Sequence, residues 1–142
     1  MPARSANPVA HPKPVDEKLT INLGCVDLGQ IDLLVQEGFY ANRTDLIRTA
    51  VRNQLAKHDD VVREVVTRKT FTLGIQHYGA ADLKAVKASG QMLRIKVLGL
   101  ASIADDVTPA LALATIESIT VLGALHASPA VKAALRERTA GA

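Results

Sequence analysis

Apolar and polar residues alternate between Lys18 and Leu23, and this period of two predicts a short β-strand. The apolar set, which would lie on one face of the strand, is Leu19, Ile21 and Leu23. The polar set on the opposite face is Lys18, Thr20 and Asn22. The pattern therefore predicts a strand with one buried face and one exposed face.

Two helices are predicted directly after this strand. The first begins near Val26 or Asp27, and its apolar positions form one helical stripe: Leu28, Ile31, Leu34 and Val35. Gly38 suits the left-handed position that ends a helix. Asn42 is the expected N-cap of the second helix, because Asp45 follows three residues later as in a loose capping box.

A single strand in this segment has no neighbour for its backbone N–H and C=O groups. The simplest neighbour is the same strand of a second copy, which gives a two-stranded ribbon on a base of four helices. The sequence thus predicts an obligate, intertwined homodimer. Its expected core residues are Leu19, Ile21, Leu23, Leu34, Leu46, Ile47 and Val51.

A two-stranded ribbon fits the major groove of DNA, and its polar face carries residue types that bind base edges. Lys binds guanine, Asn binds adenine, and Thr binds either a base or a thymine methyl group. The N-terminus of the second helix, with Arg43 beside it, suits a DNA phosphate. The alternative is an ordinary half-buried strand whose polar face is solvated.

Residues 17–57 resemble the ribbon-helix-helix DNA-binding proteins, in particular the CopG-like branch of a group that includes the Arc and MetJ repressors. The matching segments are residues 18–23 for the ribbon, Gly38 for the turn, and residues 42–48 for the second helix. The resemblance implies base contacts from Lys18, Thr20 and Asn22, and phosphate contacts from Asn42, Arg43 and Thr44. Two departures are Asn42, where the family often has Ser, and Gly24-Cys25 after the strand.

The second half of the chain holds a repeated Leu-Gly pair that follows an apolar, β-branched stretch. Its leucines are Leu73, Leu98 and Leu122, which are 25 and then 24 residues apart. Thr108-Pro109 and Ser128-Pro129 mark helix starts between or after these stretches. We expect three strand-helix units of about 24 residues in a solenoid-like stack. The alternative is a chance echo within an ordinary α/β domain.

The fold class expected for the whole chain is α+β. A disordered N-terminal tail would cover residues 1–16, and the ribbon-helix-helix domain would cover residues 17–57. A helical linker would follow over residues 58–70, either as one continuous helix from residue 43 or after a break near Asp59-Asp60. Residues 71–142 would form the repeat domain, whose open strand edges favour assembly beyond a dimer.

Charge and composition limit how such a protein would bind DNA. The formal net charge is +3, but residues 17–57 carry five basic and five acidic side chains. Non-specific attraction to DNA should therefore be modest, which favours site-specific binding. The single cysteine, the missing signal core and the short apolar runs predict a cytoplasmic, nucleoid-associated protein without a membrane span.

No catalytic, metal or cofactor motif is visible in the sequence. A glycine-rich phosphate loop and a cysteine pair are absent, and His11, His58, His77 and His126 lie far apart. The sequence favours a DNA-binding transcriptional regulator, a repressor that could act on its own gene. The alternatives are an antitoxin with a toxin partner, which is less favoured, and a DNA-associated structural protein that forms filaments.

Overall fold

The computed structural model of the chain describes residues 16–140, which form two compact units. The helical unit spans Lys18–Lys69, and the sheet unit comprises residues 16–17 and 70–140. Residues 1–15 of the expected N-terminal tail lie outside the described residues.

Three helices make up the helical unit: α1 (Cys25–Gln36), α2 (Arg43–Lys57) and α3 (Asp59–Lys69). Helix α1 begins one residue earlier than the apolar stripe indicates, with Gly24 as its N-cap. Gly38 has φ +81°, so it adopts the left-handed conformation that was expected where α1 ends. The N-cap prediction for Asn42 is also confirmed, because its side chain accepts a hydrogen bond from the backbone of Asp45.

The prediction of one continuous helix from residue 43 to about residue 70 is wrong, and the alternative prediction of a break near Asp59-Asp60 is confirmed. His58 leaves the helical conformation at φ −106° and ψ 11°, between α2 and α3. Asp59 and Asp60 follow in the first turn of α3, where carboxylates interact favourably with the helix dipole. Asp59 also forms an i,i+4 ion pair with Arg63 at 2.8 Å, which supports the new helix.

The predicted ribbon strand is not formed in the single chain. Residues 18–24 have no regular secondary structure, since no neighbouring backbone within the helical unit pairs with them. A strand is defined by its hydrogen bonds to another strand, and a second copy was the expected source of these bonds. The intertwined dimer therefore stays a prediction.

The sheet unit contains four parallel strands in the order β1-β2-β3-β4. Their bounds are Thr72–Tyr78, Leu93–Ile103, Ile116–His126 and Thr139–Ala140. The three Leu-Gly pairs align across the sheet, with Leu73 opposite Leu98 and Leu98 opposite Leu122. The sequence predicted three strands and missed β4, which is only two residues long. The solenoid itself stays a prediction.

One helix follows each of the first three strands: α4 (Ala80–Ala88), α5 (Pro109–Thr115) and α6 (Pro129–Ala134). Thr108 and Ser128 cap α5 and α6 as expected, accepting hydrogen bonds from the backbone of Leu111 and Val131. A short 3-10 helix, Arg136–Arg138, leads into β4. Arg138 donates to the carbonyl oxygens of Leu113 at 2.6 Å and Ile116 at 2.8 Å, which fixes this turn against α5 and β3.

The core of the sheet unit lies between one sheet face and the three helices. Strand β2 contributes Ile95, Val97, Ala101 and Ile103, and each helix contributes apolar side chains. Its largest fully buried apolar side chains are Leu83, Ile116, Ile119, Leu135, Val97 and Val131. The opposite sheet face carries the aligned leucines, of which Leu73 is 67% exposed. Parallel sheets are usually covered on both faces, so this exposed apolar face is unusual.

A column of glycines crosses the sheet one residue after the leucines. Gly74, Gly99 and Gly123 lie side by side and have φ values of +117°, +136° and +124°. A Cβ atom on Gly99 would overlap the carbonyl oxygen of Gly74, and one on Gly123 would overlap that of Gly99. Only glycine permits both the positive φ and this close approach of neighbouring strands.

Candidate nucleic-acid interface

The ribbon segment leaves its whole apolar face exposed in the single chain. Leu19 is 84% exposed, Ile21 50% and Leu23 43%. The predicted base-contacting residues Lys18, Thr20 and Asn22 are exposed as well. Neither face of the segment is therefore packed against the helical unit.

The other predicted dimer-core residues are also accessible. Leu34 and Val51 are exposed, while Leu46 and Ile47 are half-buried. None of the three helices of this unit has a single buried residue. The helices have apolar stripes without a core of their own, and the assignment of these residues to a dimer core stays a prediction.

The start of α2 is fixed by a reciprocal set of hydrogen bonds. Asn42 Oδ1 accepts from the backbone N–H of Asp45 at 2.8 Å, and Asp45 Oδ2 accepts from the N–H of Ala41 at 3.0 Å. The second bond comes from the residue before the N-cap, whereas in a capping box it would come from the N-cap itself. The backbone N–H groups of Arg43 and Thr44, in the first helical turn, have no acceptor within the helix.

Arg43 pairs with Asp32 of α1 in a two-pronged contact. Its Nε donates to Oδ1 at 2.7 Å, and its Nη2 donates to Oδ2 at 2.8 Å. This hydrogen bonding lowers the pKa of Asp32 and raises the pKa of Arg43. The pair ties α1 to the N-terminus of α2 and holds a guanidinium beside the first turn.

A shallow depression of about 470 Å³ lies along the N-terminal half of α2. It is lined by the cap residues Asn42 and Asp45, and by Thr44, Arg48, Thr49 and Arg52. Thr44, Arg48 and Arg52 are spaced by four residues, so they follow one another along the same face of the helix. The depression thus joins two guanidinium groups to the exposed start of α2.

Neither a metal-binding cluster nor a membrane-spanning helix is found among the described residues. Within residues 16–140, no group of three His, Cys, Asp or Glu side chains is arranged to hold a metal ion. No helix in the same range is long and apolar enough to cross a membrane.

The sequence matches the Ribbon-Helix-Helix transcriptional regulator family over residues 14–132. This range includes the ribbon segment, all three helices of the helical unit and most of the sheet unit. The chain belongs to this family. No curated protein and no solved structure matches the sequence. The resemblance seen in residues 17–57 is therefore confirmed, and the family match extends far beyond it into the second half of the chain.

The helical unit brings some of the predicted DNA-contacting residues together and leaves others apart. Asn42 and Thr44 line the depression at the start of α2, whereas the Arg43 side chain lies outside its lining and binds Asp32 of α1. The segment with Lys18, Thr20 and Asn22 does not form a strand in the single chain. Without strand pairing, nothing holds these three side chains on the same face. Arg48 and Arg52 also line this depression and were not among the residues singled out from the sequence, although their four-residue spacing from Thr44 was visible.

Proposed function

We propose that this ribbon-helix-helix regulator is a sequence-specific repressor that binds DNA as a homodimer and can act on its own gene. The observation that carries the proposal is the exposure of Leu19, Ile21 and Leu23 beside a polar triad of base-binding residue types. Pairing two copies of this segment would bury the apolar set and satisfy the backbone groups of both strands.

In the proposed complex, the paired ribbon lies in the major groove with its polar face toward the bases. Lys18 and Asn22 would bind guanine and adenine edges, and Thr20 would bind a base or a thymine methyl group. The dimer presents each residue twice, so the operator should contain two half-sites related by the two-fold symmetry of the protein.

Phosphate binding is proposed at the start of α2. The N–H groups of Arg43 and Thr44 point out of the first turn, and the positive end of the helix dipole favours an anion there. Because the Arg43 guanidinium already binds both oxygens of Asp32, we propose that its backbone N–H group makes the phosphate contact. Arg48 and Arg52, along the same helix face, would add positive charge to this surface.

The test is a titration of the full chain against the DNA upstream of its own gene, with scrambled DNA of equal length, at two salt concentrations. We expect the double variant Thr20→Ala, Asn22→Ala to lose operator binding, because each base contact is worth about 1–3 kcal/mol and a dimer loses each one twice. Its circular dichroism should match that of the wild type.

A matched control is the double variant Asn53→Ala, Thr67→Ala, which truncates the same residue types at exposed positions of α2 and α3. It should bind the upstream DNA as the wild type does. Equal binding of the upstream and scrambled DNA by the wild type would contradict the proposal, as would unchanged binding by the first variant.

We further propose that the sheet unit assembles dimers into larger complexes. The support is the edge strand β1, whose outer backbone groups have no partner strand within residues 16–140, beside the exposed face with Leu73. Linked dimers would bind repeated half-sites at high effective concentration. This feature equally suits a DNA-associated structural protein that forms filaments.

Sedimentation velocity of the full chain without DNA tests the assembly. Species larger than a dimer should form as the protein concentration rises, and Leu73→Lys should reduce them, since it places a charge on the exposed sheet face. A dimer at all concentrations would leave no role for the sheet unit in assembly. We propose no catalytic role and no cofactor for the chain.

A further inference from the structure

A second depression, of about 530 Å³, opens where three parallel strands of the sheet unit end. His77, Ser102 and His126 lie in register at the carboxyl ends of β1, β2 and β3, and all three side chains line the depression. In doubly wound parallel sheets, ligands bind outside the carboxyl ends of the strands, where the strand order reverses. This sheet has its depression at the same edge, although its strand order does not reverse. The volume lies within the range of sites for small molecules.

The lining groups are already oriented by contacts within the sheet unit. His77 Nδ1 lies 3.2 Å from Ser102 Oγ, which fixes the imidazole ring and leaves Nε2 for another partner. His126 Nε2 lies 3.4 Å from Glu17 Oε1, which holds this carboxylate over the end of β3. The row therefore presents imidazole and hydroxyl groups whose spacing is set by adjacent strands.

Two side chains of opposite charge complete the lining. Asp105 follows β2 in the chain, and Lys132 lies on α6. Within the part of the chain that the structure describes, neither forms an ion pair with the other or with a third residue. A ligand with a single charge would face one of these groups with the wrong sign, whereas a ligand with both charges would complement the two.

We propose that this depression binds a small zwitterion of amino-acid size. The anionic end of the ligand binds Lys132 and an imidazole N–H, and its cationic end binds Asp105 and Glu17. Charge-assisted hydrogen bonds of this kind are stronger than those between neutral groups, so both ends contribute to recognition.

Binding at this site also acts on the start of the ribbon segment, an inference that rests on the proposed function. Glu17 is covalently followed by Lys18, the first predicted base-contacting residue. A ligand that takes over the carboxylate of Glu17 competes with its contact to His126. Ligand occupancy therefore changes how the segment before the ribbon is held, and with it the affinity for DNA.

The first experiment is isothermal titration calorimetry of the full chain with the standard amino acids. Inorganic phosphate and putrescine serve as probes with charge of only one sign. We expect at least one zwitterion to bind, and Lys132→Ala and Asp105→Ala each to weaken that binding by about tenfold or more. Lys84→Ala, which removes an exposed lysine of α4 outside the depression, should leave the affinity unchanged.

Three results would overturn the site: no zwitterion binds at millimolar concentration, a probe of one sign binds equally well, or the control variant weakens binding as much. The second experiment repeats the DNA titration with and without the bound zwitterion. A changed DNA affinity in the wild type, and a smaller change in Glu17→Gln, is expected. Ligand binding without any effect on DNA affinity would overturn the coupling alone. Failure to bind specific DNA both with and without ligand would overturn the proposed function and leave the calorimetric result standing.

Discussion

Asn42 and Arg43 are neighbours at the start of α2, but the residues that they contact lie at different distances along the sequence. Asn42 binds the backbone of Asp45, three residues ahead, and so fixes where the helix begins. Arg43 binds Asp32, eleven residues behind on α1, and so fixes the position of one helix relative to the other. The surface proposed for phosphate depends on both contacts.

Replacing Asn42 by Ala should destabilise the helical unit by about 1 kcal/mol, because the N–H of Asp45 then loses its acceptor. Urea denaturation followed by circular dichroism measures the change. Asn53→Ala is the matched control, since Asn53 is an exposed residue within the same helix and its replacement by Ala favours helix formation. Equal stability of the two variants would show that the cap contributes nothing.

The same two residues show which contacts of single residues can be predicted from the sequence and which cannot. An N-cap is a local pattern, so Asn42 followed by Asp45 was enough to predict it. The pair of Arg43 with Asp32 depends on the turn through Gly38, whose conformation brings the two helices together. Nothing in the spacing of these two residues predicts that contact.

Among the elements, the strands of the sheet differ in how much space they leave beside each member of the glycine column. Gly74 lies on the edge strand β1, where an added Cβ would meet no atom within 4 Å. Gly99 lies on the central strand β2, where an added Cβ would overlap the backbone of Gly74. The two positions share a positive φ and differ in the space beside them.

Gly74→Ala should therefore cost about 1–3 kcal/mol from backbone strain alone. Gly99→Ala should cost about 1–3 kcal/mol more, because a neighbouring strand must also shift. Thermal and urea denaturation measure the difference in stability between the two variants. Because both carry the same backbone strain, this difference reports the cost of moving the neighbouring strand. A Gly99→Ala variant as stable as Gly74→Ala would mean that the strands can separate there without cost.

Elements were predictable where their pattern extends over several residues. The alternating stretches of β2 and β3 and the capped starts of α5 and α6 all carried such patterns. Strand β4 has two residues and no pattern of its own, so it follows only from the pairing of Thr139 with Ile119. The break at His58 was one of two alternatives, since no glycine or proline marks it.

At the scale of the whole molecule, the two units differ in how completely each is packed by its own residues. The sheet unit has a continuous core of buried aliphatic side chains. The helical unit has none, and isolated helices of this length are marginal in water. The helical unit is therefore expected to fold together with a second copy.

Unfolding of the helical unit should depend on protein concentration. For a dimer that unfolds to two chains, a hundredfold rise in concentration adds roughly 2.7 kcal/mol to the apparent stability. Circular dichroism at 222 nm in urea, at low and high concentration, would show the transition midpoint moving upward. An unchanged midpoint would mean that one chain stabilises these helices alone.

The resemblance of residues 17–57 to the ribbon-helix-helix proteins indicated the family, but not how far along the chain the family match extends. Residues 58–132 carry no short motif with a known chemistry, so their membership is visible only over the whole length of the match. The packing between two copies depends on atoms of a second chain, which no pattern in a single chain specifies.

The glycine column also restricts how the sheet can change in length. If one residue were lost from β2, a side chain would replace Gly99 beside the carbonyl oxygen of Gly74, and the strands could no longer lie side by side. If a whole strand-helix unit were gained, its own glycine could extend the column unchanged. We therefore expect the sheet to accept the gain of a complete strand-helix unit more readily than the insertion or deletion of a single residue within a strand.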